Sequence, residues 1–435
     1  MPIGLVLWLM LWVNIDSGPW YLRNPSGLLG YLHAARTLLP FAAIILAWVI
    51  IARRQIPTVF SWASPVRLMT LFGVVALFSS LFSPRPLEAS YWGSLYLSVF
   101  IVLEAVLVGP DSLKNASQLL VVNWIIVSLY AVALIIIGRH ELFGEGGRLI
   151  GYGIIHRIPV VVGATMSRSS GISRFAAIPA TIAFCAIVRG KKTVRFLWLI
   201  PFFAFTAVII TMQSRGSILG FAAAICFVLL THRSRLKMLL LVVAILVASV
   251  CIDNAFPDRT VEYIYRGQDR VEFLTLSGRT RTWARGWELF KESPLLGSGP
   301  LADRYSLHGE HMHNAYLYAL VQSGILGTIP FVAAWLVTWL QLINLLRRRY
   351  SMEPFHKELL IQAGAVLVFF TVRSVPESSA AFYGVDLLIM LPVLAYFHIL
   401  HEYYKIPLLA KTRSTVTTRR IRLTPRPYRL RPFRR

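Results

Sequence analysis

Apolar residues fall in long blocks separated by short polar connections from Ile3 to Leu400. The blocks run Ile3–Val13, Thr37–Ala52, Leu68–Phe82, Trp92–Val108, Gln118–Ile137, Phe175–Val188, Val194–Met212, Gly216–Thr231, Met238–Ile252, Ile325–Leu346, Leu359–Val372 and Ala381–Leu400. Several are shorter than the roughly 20 residues that a perpendicular membrane helix needs, so their ends are expected to extend into polar flanks or the bilayer to thin around them. The pattern predicts an all-α, polytopic membrane protein of about 12 transmembrane helices, with a large extracytoplasmic loop that contains interfacial helices. Its expected parts are helices 1–5 (residues 1–137), an outer loop with helices 6–9 (138–252), a large outer loop (253–324), helices 10–12 (325–400) and a basic tail (401–435). Met1 to Val13 has no Lys or Arg before its apolar core and no small-residue cleavage site, and reads as a short first span rather than a removable signal.

Composition sharpens this picture. The chain is 56% hydrophobic and 15% charged, against about 25% charged in soluble domains, which excludes a soluble globular class. Its net charge of +24 would suggest nucleic acid in a soluble protein, but orientation in a membrane explains it better. With the tail inside, the short connections on its side hold fifteen Lys and Arg against five on the other. Both termini are therefore expected in the cytoplasm, and the long connections 138–174 and 253–324 outside. From Lys405 to Arg435 there are eleven basic and no acidic residues, with Pro425, Pro427 and Pro432. This segment reads as disordered, held to anionic membrane lipids, with nucleic acid as the lesser alternative. Cys185, Cys226 and Cys251 have neither disulfide nor metal-ligand spacing.

Candidate chemistry sits in the outer connections. Trp283, Trp287 and Phe290 recur at helical spacing, predicting an interfacial amphipathic helix over Thr282–Lys291. Pro294, Gly297, Gly299 and Pro300 then form a tight turn, and a second helix starts near His313. Leu317, Leu320, Gly324 and Gly327 lie 4, 7, 11 and 14 residues after His313 and are expected on one face, with Gly324 and Thr328 allowing close approach to a neighbour. His313 is a candidate base, or a structural hydrogen bonder. In the hairpin Ser214-Arg215-Gly216 an outward helix amino end, a hydroxyl and a guanidinium suit phosphate oxygens, unless Arg215 only snorkels to headgroups. Gly216 is expected to leave room for that anion. His308, Glu310, His311 and His313 invite a zinc reading, but no second ligand pair is evident, and charge neutralisation by arginine is more economical than a metal. Glu104 is an intramembrane acid that needs a partner.

His313-Asn314, nine residues, then Gly324-x-x-Gly327-Thr328 resembles the His-[Asn/Ser/Gln]-x9-Gly-x-x-Gly-Thr pattern of the O-antigen ligases, within the ligase and polymerase superfamily of bacterial membrane glycosyltransferases. Gly278-Arg279 with Trp283, the turn through Gly297 and Gly299, and Ser214-Arg215-Gly216 resemble its other motifs; Arg168, Gly171 and Arg174 are a weaker likeness. The resemblance implies an undecaprenyl-diphosphate-linked glycan donor, transferred without a metal or other cofactor at the periplasmic face of the inner membrane. It implies His313 as the base, Asn314 orienting the acceptor, and Arg215, Arg279, Arg168, Arg174 and Ser214 on the donor diphosphate, with Trp283, Gly297, Gly299, Gly324 and Gly327 structural. The expected acceptor is lipid A core; a second lipid-linked repeat (polymerase) or a protein hydroxyl (oligosaccharyltransferase) are the alternatives. A transporter of lipid-linked glycan would need more polar residues within the spans.

Overall fold

The computed structural model describes residues 2–15, 26–54, 59–137, 158–161, 165–167, 169–189, 192–231, 265, 270–276 and 278–405. Its helices are α1 (Pro2–Val13), α2 (Gly27–Arg54), α3 (Pro65–Ser79), α4 (Pro86–Leu107), α5 (Ser112–Ile137), α6 (Ser169–Arg189), α7 (Lys192–Thr211), α8 (Arg215–Thr231), α9 (Arg270–Leu274), α10 (Arg279–Glu292), α11 (Ala302–Ser306), α12 (Ala315–Arg348), α13 (Pro354–Arg373) and α14 (Val385–Lys405). A short antiparallel hairpin, β1 (Ile158–Val161) with β2 (Thr165–Ser167), is the exception to the all-α expectation among the described residues.

Among these residues eight helices are long and apolar enough to cross a membrane, α2 to α6 and α12 to α14, while α1, the Arg195–Thr211 part of α7 and α8 are shorter apolar stretches. The chain is a multi-pass membrane protein, with eight candidate crossings by length where the sequence pattern suggests twelve. The block Met238–Ile252 and the tail beyond Lys405 lie outside the described residues. Helix ends do reach into polar flanks, as at Ser112 of α5 and Ala315 of α12, because backbone polar groups in lipid must be satisfied within the helix.

The most enclosed span is α14, 83% buried, and α5, α12 and α13 pack around it. A buried amide ties it to the first helix. Trp8 and Trp12 donate their indole N–H groups to Asn123 Oδ1 at 3.2 and 3.1 Å, and Asn123 Nδ2 donates to Leu388 O at 3.1 Å. One polar side chain so joins α1, α5 and α14, with both its oxygen and its nitrogen hydrogen-bonded. Glu104 finds its partners in the first turn of α3 and in the connection before it: Arg67 of α3 lies 3.2 Å away, and Val59 N donates to Glu104 Oε1 at 2.7 Å.

One feature of the chain path fixes the site. α12 breaks at Gly324, whose φ of 58° and ψ of −163° are non-helical. The turn after α10 is stitched into that break: Ser298 N donates to Val321 O at 2.8 Å, Gly299 N to Gln322 O at 3.0 Å and Ile325 N to Pro294 O at 2.9 Å. A Cβ on Gly324 would lie 2.2 Å from Leu295 O, and one on Gly297, at φ 73°, 2.6 Å from Gln322 C. Both positions need glycine for its left-handed backbone and for space. This corrects the expectation of one continuous helical face from His313 to Gly327: Gly324 is the point where the helix opens to take the turn. Gly299 abuts Ser79 and Ser80 at the end of α3, and Gly327 packs near Val75 of α3.

Candidate active site

The segment His311–Asn314, the last part of the connection from α11 to α12, is clamped residue by residue. Asn314 caps α12, its Oδ1 accepting from Tyr316 N at 3.0 Å and Leu317 N at 2.9 Å. The Trp283 indole donates to Met312 O at 2.6 Å, Met312 N donates to Asp303 Oδ2 at 3.2 Å, and Ala315 N donates to Ser374 O at 2.9 Å. α10 approaches closely because Gly286 has no side chain; a Cβ there would meet Met312 Sδ at 2.3 Å. Within this clamp His313 adopts φ 48°. A non-glycine residue held there costs on the order of 1–3 kcal/mol and persists where its surroundings over-determine it.

The connection between α13 and α14 gathers the charges. Glu377 Oε2 accepts from His313 Nδ1 at 3.0 Å and its Oε1 accepts from Arg279 Nη2 at 3.2 Å. Arg279 Nη1 also donates to Pro376 O. Arg279 stands at the start of α10 directly after Gly278, which is left-handed at φ 79°. Burial pushes the Glu377 carboxyl up, but the hydrogen bond from His313 and the charges of Arg373, His313 and Arg279 outweigh it and hold Glu377 well below the usual carboxylate range. Burial lowers the His313 pKa below 6.5, aided by His311 and Arg279 and opposed by Glu377. An ionised Glu377 can only accept, so His313 carries its proton on Nδ1 and its basic lone pair on Nε2.

Ser214 precedes α8 as its cap residue, with Ile218 N donating to Ser214 O at 2.8 Å and the two hydroxyls of Ser214 and Ser217 3.2 Å apart. Arg215 lies over the Phe273 ring of α9, 4.4 Å from its centroid, and donates to Tyr265 O at 3.4 Å. It is within electrostatic reach of Arg279. Gly216 faces Pro376, where a Cβ would lie 2.9 Å from Pro376 Cγ. Its role is to let α8 meet the α13–α14 connection, which corrects the expectation that it leaves room for an anion.

The fold thus assembles His313, Asn314, Arg279, Arg215 and Ser214 at one end of the bundle, with Trp283, Gly297, Gly299, Gly324 and Gly327 holding the frame. Arg174 is set apart by an ion pair with Asp386 at 2.6 Å, and Arg168 lies outside the described residues. Sequence reasoning misses Glu377 and Arg373. Arg373 is 3% exposed, and its Nε and Nη1 have no hydrogen-bond partner among the described residues. Among the described residues Arg215, Arg279 and Arg373 outnumber the carboxylates within their electrostatic reach, Glu377 and Glu272, a surplus of positive charge suited to an anion. The residues of the zinc reading turn to separate partners: His311 to Asp303, His313 to Glu377, and Glu310 to Thr282 and Arg285, while His308 is exposed. An apolar cavity of about 790 Å³ between α5, α6, α7 and α13 shares no residue with this site among the described residues, and the charged Glu358 in its lining is paired with Arg189 at 3.2 Å.

No curated protein matches the chain. Residues 200–332, which carry Ser214, Arg215, Arg279, Trp283, the glycine turn, His313 and Gly327, match the family model described as O-Antigen ligase, so the chain is similar to the O-antigen ligases over the stretch that supplies most of this site.

Proposed function

We propose that the protein is an O-antigen ligase-like membrane glycosyltransferase that moves a glycan from undecaprenyl diphosphate to a hydroxyl acceptor, lipid A core foremost. The observation that carries this reading is Glu377, one carboxylate that hydrogen-bonds both the Arg279 guanidinium and the His313 imidazole. His313 Nε2 takes the proton of the acceptor hydroxyl as its oxygen bonds to the anomeric carbon. The bond from that carbon to the diphosphate breaks from the opposite face, inverting the centre, and the electron pair leaves with the diphosphate. Arg215 and Arg279, joined by Arg373, stabilise the developing charge without a metal ion. Ser214 adds a hydroxyl beside Arg215, Arg174 is balanced by Asp386, and Arg168 belongs to the same set by motif. Asn314 fixes the His313 backbone by capping α12 and orients the acceptor through its amide.

The cradle lies on the periplasmic side of the inner membrane in this reading, with both termini in the cytoplasm. Single cysteines at Ser306 and Ser414 in a cysteine-free background then react with an impermeant thiol reagent from opposite sides. Equal labelling of both from outside overturns the orientation.

At Arg215 a fork of two donors on diphosphate oxygens differs from a snorkelling charge. Arg215→Ala is expected to lose about 100- to 1,000-fold in rate, the usual cost of removing one preorganised donor, and Arg215→Lys to keep part of the activity. Near-normal turnover by the alanine variant at equal membrane abundance reduces Arg215 to an anchor.

Incubation of purified protein with a defined lipid-linked oligosaccharide and each acceptor in turn tests the function itself. A new glycoside on lipid A core is the expected product. Elongated lipid-linked repeats or glycosylated protein reassign the acceptor, and donor movement across vesicles without any new glycoside replaces the enzyme by a transporter.

A further inference from the structure

A second carboxylate–imidazole pair lies beside the first. Asp303, on α11, is 0% exposed, and its Oδ2 accepts from His311 Nδ1 at 2.6 Å while its Oδ1 accepts from Arg304 N at 2.9 Å. The His311 ring stands edge-on to the His313 ring, 4.7 Å between centroids at 70°, and is boxed in by Tyr318 at 5.5 Å and Phe382 at 5.7 Å. Tyr318 in turn accepts from Leu301 N at 3.1 Å, which ties the far side of the box to α11. Asp303, His311, His313 and Glu377 so form a row of two imidazoles between two carboxylates, of which the transfer reaction uses only the second half. A fully buried carboxylate is costly unless it is paired and hydrogen-bonded, and here its partner is the ring that touches the proposed base.

We propose that His311, aimed by Asp303, is a positioning residue for His313: it fixes the plane of the base and keeps a second imidazole against it, so that the strength of the base depends on His311. This rests on His313 being the base. Among the described residues the charged and titratable groups that face His313 include Glu377 from the α13–α14 connection, with Arg373 behind it, Arg279 from α10, and His311 from its own segment. Asp303 and the neighbouring Arg304 face His311 from α11. Burial lowers the His313 pKa first, and His311 and Arg279 add to this against the opposing pull of Glu377. Removal of the His311 imidazole takes away one of these lowering influences and therefore raises the proton affinity of His313.

Two variants test this on the full chain in membranes. His311→Gln keeps a donor for Asp303 without an imidazole; Asp303→Leu combined with His311→Phe removes the buried pair altogether and leaves no charge without a partner. Both are expected to lower kcat about 10- to 100-fold, the scale of a small misplacement of a reacting group. KM for the lipid-linked donor stays near the wild-type value, and the acid limb of the pH–kcat profile moves to higher pH. In a His313→Ala background the His311→Gln change should add almost nothing, since the two act as one unit. Wild-type kcat and an unmoved acid limb in either folded variant overturn the proposal. So does activity that falls only in proportion to folded protein. Loss of activity in His313→Ala with a silent His311→Gln sinks this inference alone, whereas turnover surviving in His313→Ala sinks the base reading beneath it.

Discussion

Glu377→Gln is expected to lower glycoside formation by about 1,000- to 10,000-fold, the scale seen when the carboxylate behind a catalytic imidazole becomes an amide. The change keeps the shape of the side chain and removes its charge. Glu377 accepts from His313 on one oxygen and from Arg279 on the other. Arg279 and His313 sit on different oxygens of Glu377, and in the amide one of those oxygens becomes an NH2 group, so either Arg279 or the Nδ1–H of His313 loses its acceptor. If its NH2 group turns to His313, the imidazole is held in the tautomer whose lone pair points away from the acceptor. Arg279 and Arg373 also lose the one carboxylate between them, so the leaving group meets a cradle that is less well ordered.

The pH profile carries the same logic with a definite sign. His313 works only when neutral, so wild-type activity falls as pH drops through its pKa. Burial places that pKa below 6.5, with His311 and Arg279 lowering it further and Glu377 raising it. The acid limb of the wild type is therefore expected below pH 6.5. In Glu377→Gln the raising influence is gone, and the limb of the residual activity moves to still lower pH. Near-normal turnover at equal abundance of folded protein reduces Glu377 to packing.

Much of this architecture is legible from the chain because lipid enforces it. A span has to be apolar along its length, so the blocks that coincide with α2 to α6 and α12 to α14 announce themselves. Arg215, Arg279 and His313 are legible for another reason: each stands in a short local motif next to a glycine, an aromatic or a helix cap. Glu377 has no such local frame. It is separated from His313 by the whole of α12 and α13, and Arg373-Ser374-Val375-Pro376-Glu377 reads as an ordinary polar connection between two apolar runs. Only the packing of α8, α10 and α12 on that connection gives it a role. The misreading of Gly324 has a related cause. Helical offsets assume an unbroken helix, and nothing in the spacing reveals that the backbone N–H groups of Ser298 and Gly299 complete α12 from outside. Gly216 misleads likewise, since a missing side chain can make room for an anion or for Pro376, and the sequence shows only that the side chain is missing. The eight candidate crossings also fall short of the pattern's twelve because α1, the Arg195–Thr211 part of α7 and α8 are short apolar stretches and the block Met238–Ile252 lies outside the described residues.

The base assignment at His313 stands at the centre of this account, and single-turnover glycoside formation tests it most directly. Purified wild type and His313→Ala are loaded with equal amounts of a defined lipid-linked oligosaccharide, mixed with lipid A core in the presence of a strong chelator, and the new glycoside is followed in time. The wild type is expected to form product with an inverted anomeric centre in spite of the chelator. His313→Ala should bind the donor as well as the wild type, since the proton that His313 removes belongs to the acceptor, yet form product about 1,000-fold more slowly or less, as when a general base is deleted from a preorganised site. Near-wild-type product formation by folded His313→Ala would contradict the account, as would wild-type activity that disappears with chelation and returns with zinc.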